Sequence, residues 1–335
     1  MKKTALLTLM LLPVLTACNS YPFPKFGPLE PGEKYDIGIL LPVEHPALDK
    51  AAQGFIQGLA SKGWDTTNLN IVTKNAQGSS DDQRTFAKTL INECDLTLGV
   101  GTGASVDLKA AQKNKGSHNP ILFTAVTDPV DAKLVKSLSS PGGYVTGTTD
   151  ANPVEEQVSL VKMILPSADK VGIFFTQTES NSEAQAKQAK AAIQGAGMEC
   201  VIKTCTSAND LQSTFAALLN TSGLDAIYIP TDNNVAANMA KIRTAMNGSG
   251  KLLIGGEENM VSGGAHITLS IDYTMLGVKT GEMAAQILNG EAKPKDLPVL
   301  GMTKDECTYV MNSSALSEAG VTLPQEVRDM CVEAE

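Results

Sequence analysis

The chain has 335 residues, of which 42% are hydrophobic, so it is long enough to form two domains with buried cores. It carries 27 Lys and Arg residues against 36 Asp and Glu residues, a net charge of −9. This acidic balance argues against nucleic acid and against an anionic membrane surface as binding partners.

The first 17 residues have the pattern of a secretory signal. Two lysines precede an apolar run from Ala5 to Leu15, which is too short for a permanent membrane-spanning helix. The run ends in Leu-Thr-Ala before Cys18, a pattern typical of bacterial lipoprotein cleavage and lipidation. We therefore expect a signal peptide over 1–17 and a palmitate-type lipid on Cys18; the alternative is an ordinary secretory signal that contains a cysteine. Cleavage of this signal would remove Lys2 and Lys3, so the mature chain would have 25 basic and 36 acidic residues and a net charge of −11.

Residues 19–34 contain four prolines and two glycines. Such a composition offers little apolar surface to bury, so the segment 18–34 is predicted to be a lipid-anchored tether. The mature protein is then expected in the cell envelope, anchored outside the cytoplasmic membrane, in the periplasm or at the cell surface.

Five cysteines follow the predicted anchor, an odd number: Cys94, Cys200, Cys205, Cys307 and Cys331. Because thiols outside the cytoplasm can pair, Cys200 with Cys205 and Cys307 with Cys331 are the candidate disulfides. The chain has no Cys-x-x-Cys, and its three histidines are far apart in sequence. No metal site and no cofactor are predicted.

From residue 35 onward, short apolar runs alternate with longer amphipathic stretches. The predicted strands lie at 36–41, 69–73, 95–100, 120–126, 171–175, 198–202, 225–229, 251–255, 266–271 and 307–311. Between them apolar residues recur at helical spacing, as in Leu48, Ala52, Phe55 and Leu59. Strand–helix alternation predicts an α/β fold with parallel sheets.

The alternation occurs twice, around 36–148 and 171–256, which predicts two Rossmann-like lobes. The Gly- and Thr-rich segment 142–153 reads as a crossover between them. A strand, a polar corner and a long helix at 267–291 would lead the chain back to the first lobe. The predicted division is 35–147 plus 272–300 for lobe 1 and 148–271 plus 301–335 for lobe 2.

Loops after the predicted strands are rich in hydroxyl, amide and carboxylate groups, and open parallel sheets bind ligands at these ends. The segment Gly-Thr-Gly at 101–103 lacks the third glycine of a dinucleotide motif and follows the third strand. We interpret it as a helix N-terminus that receives a carboxylate, the alternative being plain helix capping.

Glu44 and His45 are adjacent at the end of the first strand. On an extended segment their side chains point apart, which is a poor arrangement for a catalytic dyad. No G-x-S-x-G segment or Ser-His-Asp arrangement is recognisable. The pair is therefore interpreted as ligand contacts, the alternative being a polar cap on a helix beginning at Pro46.

Six segments occur in a fixed order: VEHPALD with GF within 43–55, NAQG at 75–78, FTAVTDPV at 123–130, PGGYVTGTTD at 141–150, PTDN at 230–233 and GGEE at 255–258. They resemble the ABC-transporter substrate-binding lipoproteins of the tryptophan/tyrosine-binding type over about 36–300. The resemblance implies a type I periplasmic-binding-protein fold, three crossovers and a ligand held between two lobes. Tyr144 and Glu257 depart from the family pattern, in which Asn and Asp are expected.

The residues then expected to contact the ligand are Glu44, His45, Gln77, Thr102, Ser105, Thr124, Thr127, Asp128, Asn181, Asp232, Asn233, Glu257 and Tyr273. By resemblance to amino-acid receptors, Thr102, Ser105 and Thr124 would hold a carboxylate. Glu257 and Asp232 would hold an ammonium group, and the ring of Tyr273 would face the ligand side chain or pack in the hinge.

The predicted function is a monomeric solute receptor for an ABC permease, without catalytic activity, that binds a small apolar or aromatic amino acid. Two alternatives stay open on the same fold. One is an extracytoplasmic enzyme with Glu44 or Asp128 as general base, and the other is a ligand-sensing lipoprotein.

Overall fold

The computed structural model describes residues 23–334, so the predicted signal peptide and Cys18 lie outside the described residues. The described strands are β1 (Tyr35–Leu41), β2 (Leu69–Asn75), β3 (Leu96–Val100), β4 (Ile121–Thr124), β5 (Val145–Gly147), β6 (Lys170–Thr176), β7 (Glu199–Cys205), β8 (Ala226–Ile229), β9 (Leu252–Gly255), β10 (Ile267–Ile271), β11 (Cys307–Met311) and β12 (Cys331–Glu333). The described helices are α1 (Pro46–Ser61), α2 (Ser80–Glu93), α3 (Thr102–Lys115), α4 (Val154–Ile164), α5 (Ser180–Gly195), α6 (Leu211–Leu219), α7 (Asn233–Ala236), α8 (Met239–Met246), α9 (Glu258–Ser262), α10 (Tyr273–Leu288), α11 (Ser313–Ala319) and α12 (Gln325–Met330).

Two sheets form two lobes. The first has the strand order β2-β1-β3-β4-β5 and is parallel throughout. The second has the order β12-β11-β10-β9-β8-β6-β7 and is parallel except where β11 runs against β10. Central strands such as β3, β4 and β8 are buried along their whole length, as expected when helices cover both faces of a sheet. The predicted α/β fold of two parallel-sheet lobes is confirmed.

The chain passes between the lobes three times: between β5 and α4, between β10 and α10, and between α10 and β11. Parallel order brings the carboxyl ends of the strands in each lobe to one edge, and those two edges face each other. The loops that hold the candidate site are therefore set between the lobes and beside the crossovers.

Helix α10 returns to lobe 1 and lies directly against α1. Four glycines, Gly54 and Gly58 on α1 with Gly277 and Gly281 on α10, let the two backbones touch. A Cβ added at Gly277 would lie 2.1 Å from the carbonyl oxygen of Ala51. The close contact explains why a segment distant in sequence belongs to the first lobe.

We expect Gly277→Ala to destabilise the protein, because the added methyl group would force two helix backbones apart. Overpacking of this kind costs about 1–3 kcal/mol. Thermal unfolding followed by circular dichroism should show a clear decrease in Tm. Gly195→Ala, at the end of α5 where no heavy atom lies within 4 Å of the added Cβ, is the matched control and should not decrease it. Equal melting of Gly277→Ala and wild type would contradict the close contact.

The five described cysteines are all free. The candidate pairing of Cys200 with Cys205 is wrong, because they stand five residues apart on the extended strand β7. The pairing of Cys307 with Cys331 is also wrong. In the parallel β11–β12 pair, Cys331 lies opposite Tyr309, two residues beyond Cys307.

The described part of the predicted tether, residues 23–34, lies against lobe 1, and we call it the N-terminal strap. It has no helix or strand, but Phe23, Phe26 and Leu29 pack against the lobe-1 core. Proline and glycine content predicted a chain without tertiary contacts, and the three apolar side chains provide them.

Candidate functional site

A small inner cavity lies between the lobes at the carboxyl ends of the strands. Its lining consists of His45, Ala47, Leu48, Thr102, Ala125, Thr127, Asp150, Asn181, Thr231, Asn233, Glu257 and Tyr273. Its volume is about 10 Å³, roughly the space needed for one water molecule. The lobes are therefore nearly closed over a ring of polar side chains.

Asp150 is one of two buried carboxylates that line this cavity. Its side chain accepts hydrogen bonds from the hydroxyl groups of Thr127 at 3.0 Å and Tyr273 at 3.1 Å. Burial raises the pKa of Asp150 to about 6, and the nearby Glu257 carboxylate adds to the rise, while the two hydroxyl donors oppose it. A buried carboxylate with two neutral donors is a strong acceptor for a ligand cation.

Glu257 faces Asp150 from lobe 2, and neutral N–H donors already solvate its carboxylate. It precedes α9 and accepts hydrogen bonds from the backbone N–H groups of Asn259 at 2.7 Å and Met260 at 2.9 Å, and from the Asn259 side chain at 2.9 Å. Three N–H donors stabilise the Glu257 carboxylate, so a ligand cation is expected to bind Asp150 in preference to Glu257.

His45 joins lobe 1 to lobe 2 across the cavity. Its Nδ1 accepts a hydrogen bond from the Ala47 N–H at 3.1 Å, so the ring carries its proton on Nε2. That Nε2 lies 3.8 Å from the Glu257 carboxylate. On the cleft rim, Lys50 and Glu258 lie 3.6 Å apart across the same gap. Both contacts exist only when the lobes are together.

The N-terminus of α3 opens onto the cavity at Thr102. The preceding residue, Gly101, has φ +82°, a left-handed conformation that glycine adopts without strain. No side chain caps this helix, so N–H groups of its first turn are available to an anion. The predicted carboxylate-binding helix N-terminus therefore has suitable geometry.

A larger outer cavity of about 640 Å³ adjoins the inner one and shares Thr102, Asn181 and Asn233 with it. Pro42, Val43 and Val106 give it an apolar side on lobe 1. Glu179, on the lobe-2 side, accepts hydrogen bonds from the backbone of Asn233 and Asn234. Burial and the neighbouring Asp232 carboxylate raise the pKa of Glu179.

The inner cavity brings together seven of the thirteen residues selected from the sequence: His45, Thr102, Thr127, Asn181, Asn233, Glu257 and Tyr273. The other six are elsewhere. Glu44 and Gln77 are exposed and line neither cavity. Asp128 accepts hydrogen bonds from the N–H groups of Val130 and Asp131 in its own turn.

Ser105 and Thr124 lie behind the cavity and do not line it. The Ser105 hydroxyl is buried and donates to the carbonyl oxygens of Gly99 and Gly101, where it supports the loop before α3. The Thr124 hydroxyl accepts from Thr148 inside lobe 1. Both were expected to hold a carboxylate by resemblance to amino-acid receptors, but their hydroxyls bond to groups inside lobe 1.

The expectation that Asp232 holds a ligand ammonium group does not fit its position. Its carboxylate accepts from the N–H and hydroxyl of Thr176, at 2.6 and 2.9 Å, and from the N–H of Val235 at 2.8 Å. It lines neither cavity. Asp232 fixes the loop between β8 and α7.

Sequence reasoning overlooked Asp150 and Thr231. Both polar groups follow a strand end, in Thr-Thr-Asp after β5 and Pro-Thr-Asp after β8. Asp150 ends one of the segments that carry the family resemblance and lies in the predicted crossover, but no ligand contact was assigned to it, although a crossover passes directly beside the cleft. The neighbouring acid Asp232 was selected in place of Thr231.

Comparisons with known proteins define the family. Residues 36–334 match the family described as ABC transporter substrate binding protein. The chain belongs to this family. It is 35% identical over 283 residues to the Tyrosine-binding protein of Clostridioides difficile (strain R20291), a match that covers 84% of this chain and 79% of the relative. The resemblance found in the sequence is thereby confirmed.

Two similar solved structures bear on the state of the lobes. An ABC domain from Streptococcus pneumonia in complex with L-Trp is 34% identical, covering 90% of this chain and 99% of its own, with a TM-score of 0.83. A ligand-free, open substrate binding protein from Clostridium difficile is 33% identical, and the match covers 90% of this chain and 100% of the other, with a TM-score of 0.68. At nearly equal identity, this substrate-binding protein is more similar to the ligand-bound structure, in agreement with its lobe-to-lobe contacts.

Residues 23–334 have neither a candidate metal-binding group nor a helix that could span a membrane. They contain no grouping of three or more His, Cys, Asp or Glu side chains able to hold a metal ion. None of their helices has the length and apolar character needed to cross a bilayer.

Proposed function

We propose that this protein is the extracytoplasmic receptor of an ABC importer and clamps an amino acid with an apolar or aromatic side chain. The observation that carries the proposal is the buried carboxylate of Asp150, whose hydrogen-bond donors are neutral and include the hydroxyls of Thr127 and Tyr273. Among residues 23–334, none that lines either cavity is Lys or Arg. A ligand ammonium group would supply the missing positive charge.

The two ends of an α-amino acid fit the two sides of the inner cavity. The ammonium group binds Asp150, and the carboxylate binds the N-terminus of α3 with the hydroxyl of Thr102. The inner cavity is too small for an aromatic ring, so the side chain extends past Asn181 into the outer cavity. The L-Trp bound by the Streptococcus relative and the name of the Clostridioides relative support a ring of this size.

Binding and closure are coupled through lobe-to-lobe contacts. The ligand bridges both lobes and favours the state in which His45 meets Glu257 and Lys50 meets Glu258. The permease then recognises the closed receptor. This mechanism makes no covalent bond, and neither base considered for an enzyme, Glu44 or Asp128, lines the inner cavity.

Titration calorimetry with amino acids and matched analogues tests the proposal. Tyrosine and tryptophan should bind, and small-angle scattering should show compaction. Tyramine lacks the carboxylate, and 3-(4-hydroxyphenyl)propanoate lacks the ammonium group, so each should bind at least about tenfold more weakly than tyrosine, the loss expected for one charge-assisted hydrogen bond. If the propanoate binds as tightly as tyrosine, Asp150 does not hold an ammonium group.

The lipid anchor is a separate part of the proposal, based on Leu-Thr-Ala before Cys18. In Cys18→Ser we expect no lipid attachment, because a hydroxyl cannot replace the thiol in this modification. The protein should move from the detergent phase to the aqueous phase in phase partitioning while its ligand affinity is unchanged. Unchanged partitioning would contradict the anchor and leave the binding site unaffected.

A further inference from the structure

The N-terminal strap is held to lobe 1 by a chain of aromatic contacts. Phe23 stacks on Tyr144 with ring centroids 6.0 Å apart and planes 8° apart. Phe26 contacts Tyr35 edge to face at 5.2 Å, and Tyr35 in turn contacts Trp64 at 5.7 Å. Such ring pairs stabilise a docked segment beyond the apolar area that they bury.

Polar contacts fix the same strap. The Tyr35 hydroxyl donates to the carbonyl oxygen of Gly27 and accepts from its N–H, each at 3.2 Å. The ammonium group of Lys293 lies 5.7 Å from the centre of the Phe23 ring. Tyr35 begins β1, Tyr144 precedes β5 and Lys293 follows α10, so the strap occupies a site formed by several parts of lobe 1.

The strap site is on the side of lobe 1 opposite the ligand cleft. Tyr35 is the first residue of β1, and Tyr144 immediately precedes β5. The cavity residues follow the other ends of the strands. At about 3.3 Å per residue, the seven residues of β1 place about 20 Å between the two sides.

We propose that the docked strap ties lobe 1 to the membrane, so that lobe 2 is the lobe that moves when the cleft opens. This inference rests on the lipid anchor of the proposed function. From Cys18 to Phe23 the chain can span at most about 18 Å, whereas from Cys18 to Tyr35 it could span about 60 Å. Docking therefore shortens the reach of the tether about threefold. It holds the side of lobe 1 that lies opposite the ligand cleft near the bilayer.

Tryptic cleavage after Lys25, an exposed residue near the N-terminal end of the strap and between the docked rings of Phe23 and Phe26, reports docking directly. Full-length protein in its native membranes is digested, and cleavage between Lys25 and Phe26 is followed by mass spectrometry. Cleavage in wild type should be at least about tenfold slower than in a free peptide of the same sequence, because a docked segment must first detach.

Two variants weaken docking from opposite sides. Phe23→Ala changes the strap, and Tyr144→Ala changes only lobe 1 and leaves the cleaved segment intact. Both should increase the cleavage rate severalfold while tyrosine affinity stays the same, because the cleft is on the other side. Val332→Ala, an exposed apolar position on β12 in lobe 2, is the control and should cleave like wild type.

Wild-type cleavage as fast as in the peptide, or no effect of Tyr144→Ala, would overturn the docked strap. Thermal unfolding of each variant shows whether faster cleavage reflects general unfolding; a rate increase that disappears when corrected for global stability also overturns it. Detergent partitioning reports the lipid anchor separately. A failed anchor with a protected Lys25 therefore contradicts the membrane attachment and not the docking.

Discussion

Asp150→Asn is expected to weaken binding of tyrosine or tryptophan by about 100-fold or more. The substitution keeps the shape of the side chain and removes the charge that is proposed to pair with the ligand ammonium group. Leaving a ligand charge buried without its partner costs about 2–5 kcal/mol. Calorimetry on the purified variant measures the loss, and the amine-free propanoate should bind wild type and variant with similar affinity.

The same substitution should remove a pH dependence. Because burial places the pKa of Asp150 near 6, the wild-type carboxylate is ionised above that pH and binds the ammonium group fully. Below pH 6, protonation competes with the ligand, and affinity should fall by up to about tenfold per pH unit until the lower pKa of the complex is reached. Asp150→Asn should show no such fall between pH 7 and 5.

Loss of folding does not explain the expected result. The pKa of Asp150 is raised on folding from 3.8 to about 6, so the native state binds more protons in that window. Stability therefore decreases as pH rises from about 4 to 6, by about 3 kcal/mol for this group alone. Removing the charge should not destabilise the ligand-free protein at pH 7.

Asp128→Asn provides the matched control, because it makes the same chemical change to an acid that caps its own turn outside the inner cavity. It should bind tyrosine like wild type. Equal losses in the two variants would show that the effect reflects net charge and not the Asp150 contact.

Thr102→Asp is expected to abolish tyrosine binding at concentrations at which wild type is saturated, a loss of about 100-fold or more. The new carboxylate would stand at the α3 N-terminus, where the ligand carboxylate is proposed to bind. Like charges placed together in an interface cost several kcal/mol. Calorimetry with tyrosine measures the loss.

This substitution separates binding from stability. A negative charge in the first turn of a helix stabilises it by about 0.3–1 kcal/mol, so the Tm of Thr102→Asp should be equal to or above that of wild type. Thr102→Asn introduces a side chain with nearly the same shape as aspartate but without charge, and it should lose only a small part of the tyrosine affinity. Tyramine, which has no carboxylate, should bind Thr102→Asp at least as well as wild type. Strong tyrosine binding by Thr102→Asp would place the ligand carboxylate elsewhere.

Local patterns were sufficient to predict most of the fold. Buried parallel strands such as β3 and β8 are short apolar runs, and amphipathic spacing marked helices such as α1. Strands β5 and β12 have three residues each, too few for a periodic signal, and were missed. The strap was misinterpreted because a few aromatic contacts offset a composition that otherwise favours disorder.

The site was harder to predict, because strand ends show which loops meet but not which way each side chain points. Asp150 and Asp232 follow strands in similar Thr-Asp segments. One accepts two hydroxyl donors in the cavity, and the other accepts three donors within its own lobe. The donors around each acid distinguish them, Thr127 and Tyr273 for Asp150 and Thr176 and Val235 for Asp232, and their positions depend on the tertiary fold.

The glycine contact between α1 and α10 has a kinetic consequence. Because the two helix backbones touch, α10 moves as one rigid body with lobe 1, and Tyr273 at its start moves with it. Tyr273 holds Asp150, and Thr102 belongs to the same lobe, so both proposed charge contacts of the ligand are assembled before the cleft closes. In the proposed clamp, capture then depends on lobe 1 alone and sets the association rate. The arrival of Glu257 with lobe 2 mainly sets how long the ligand stays.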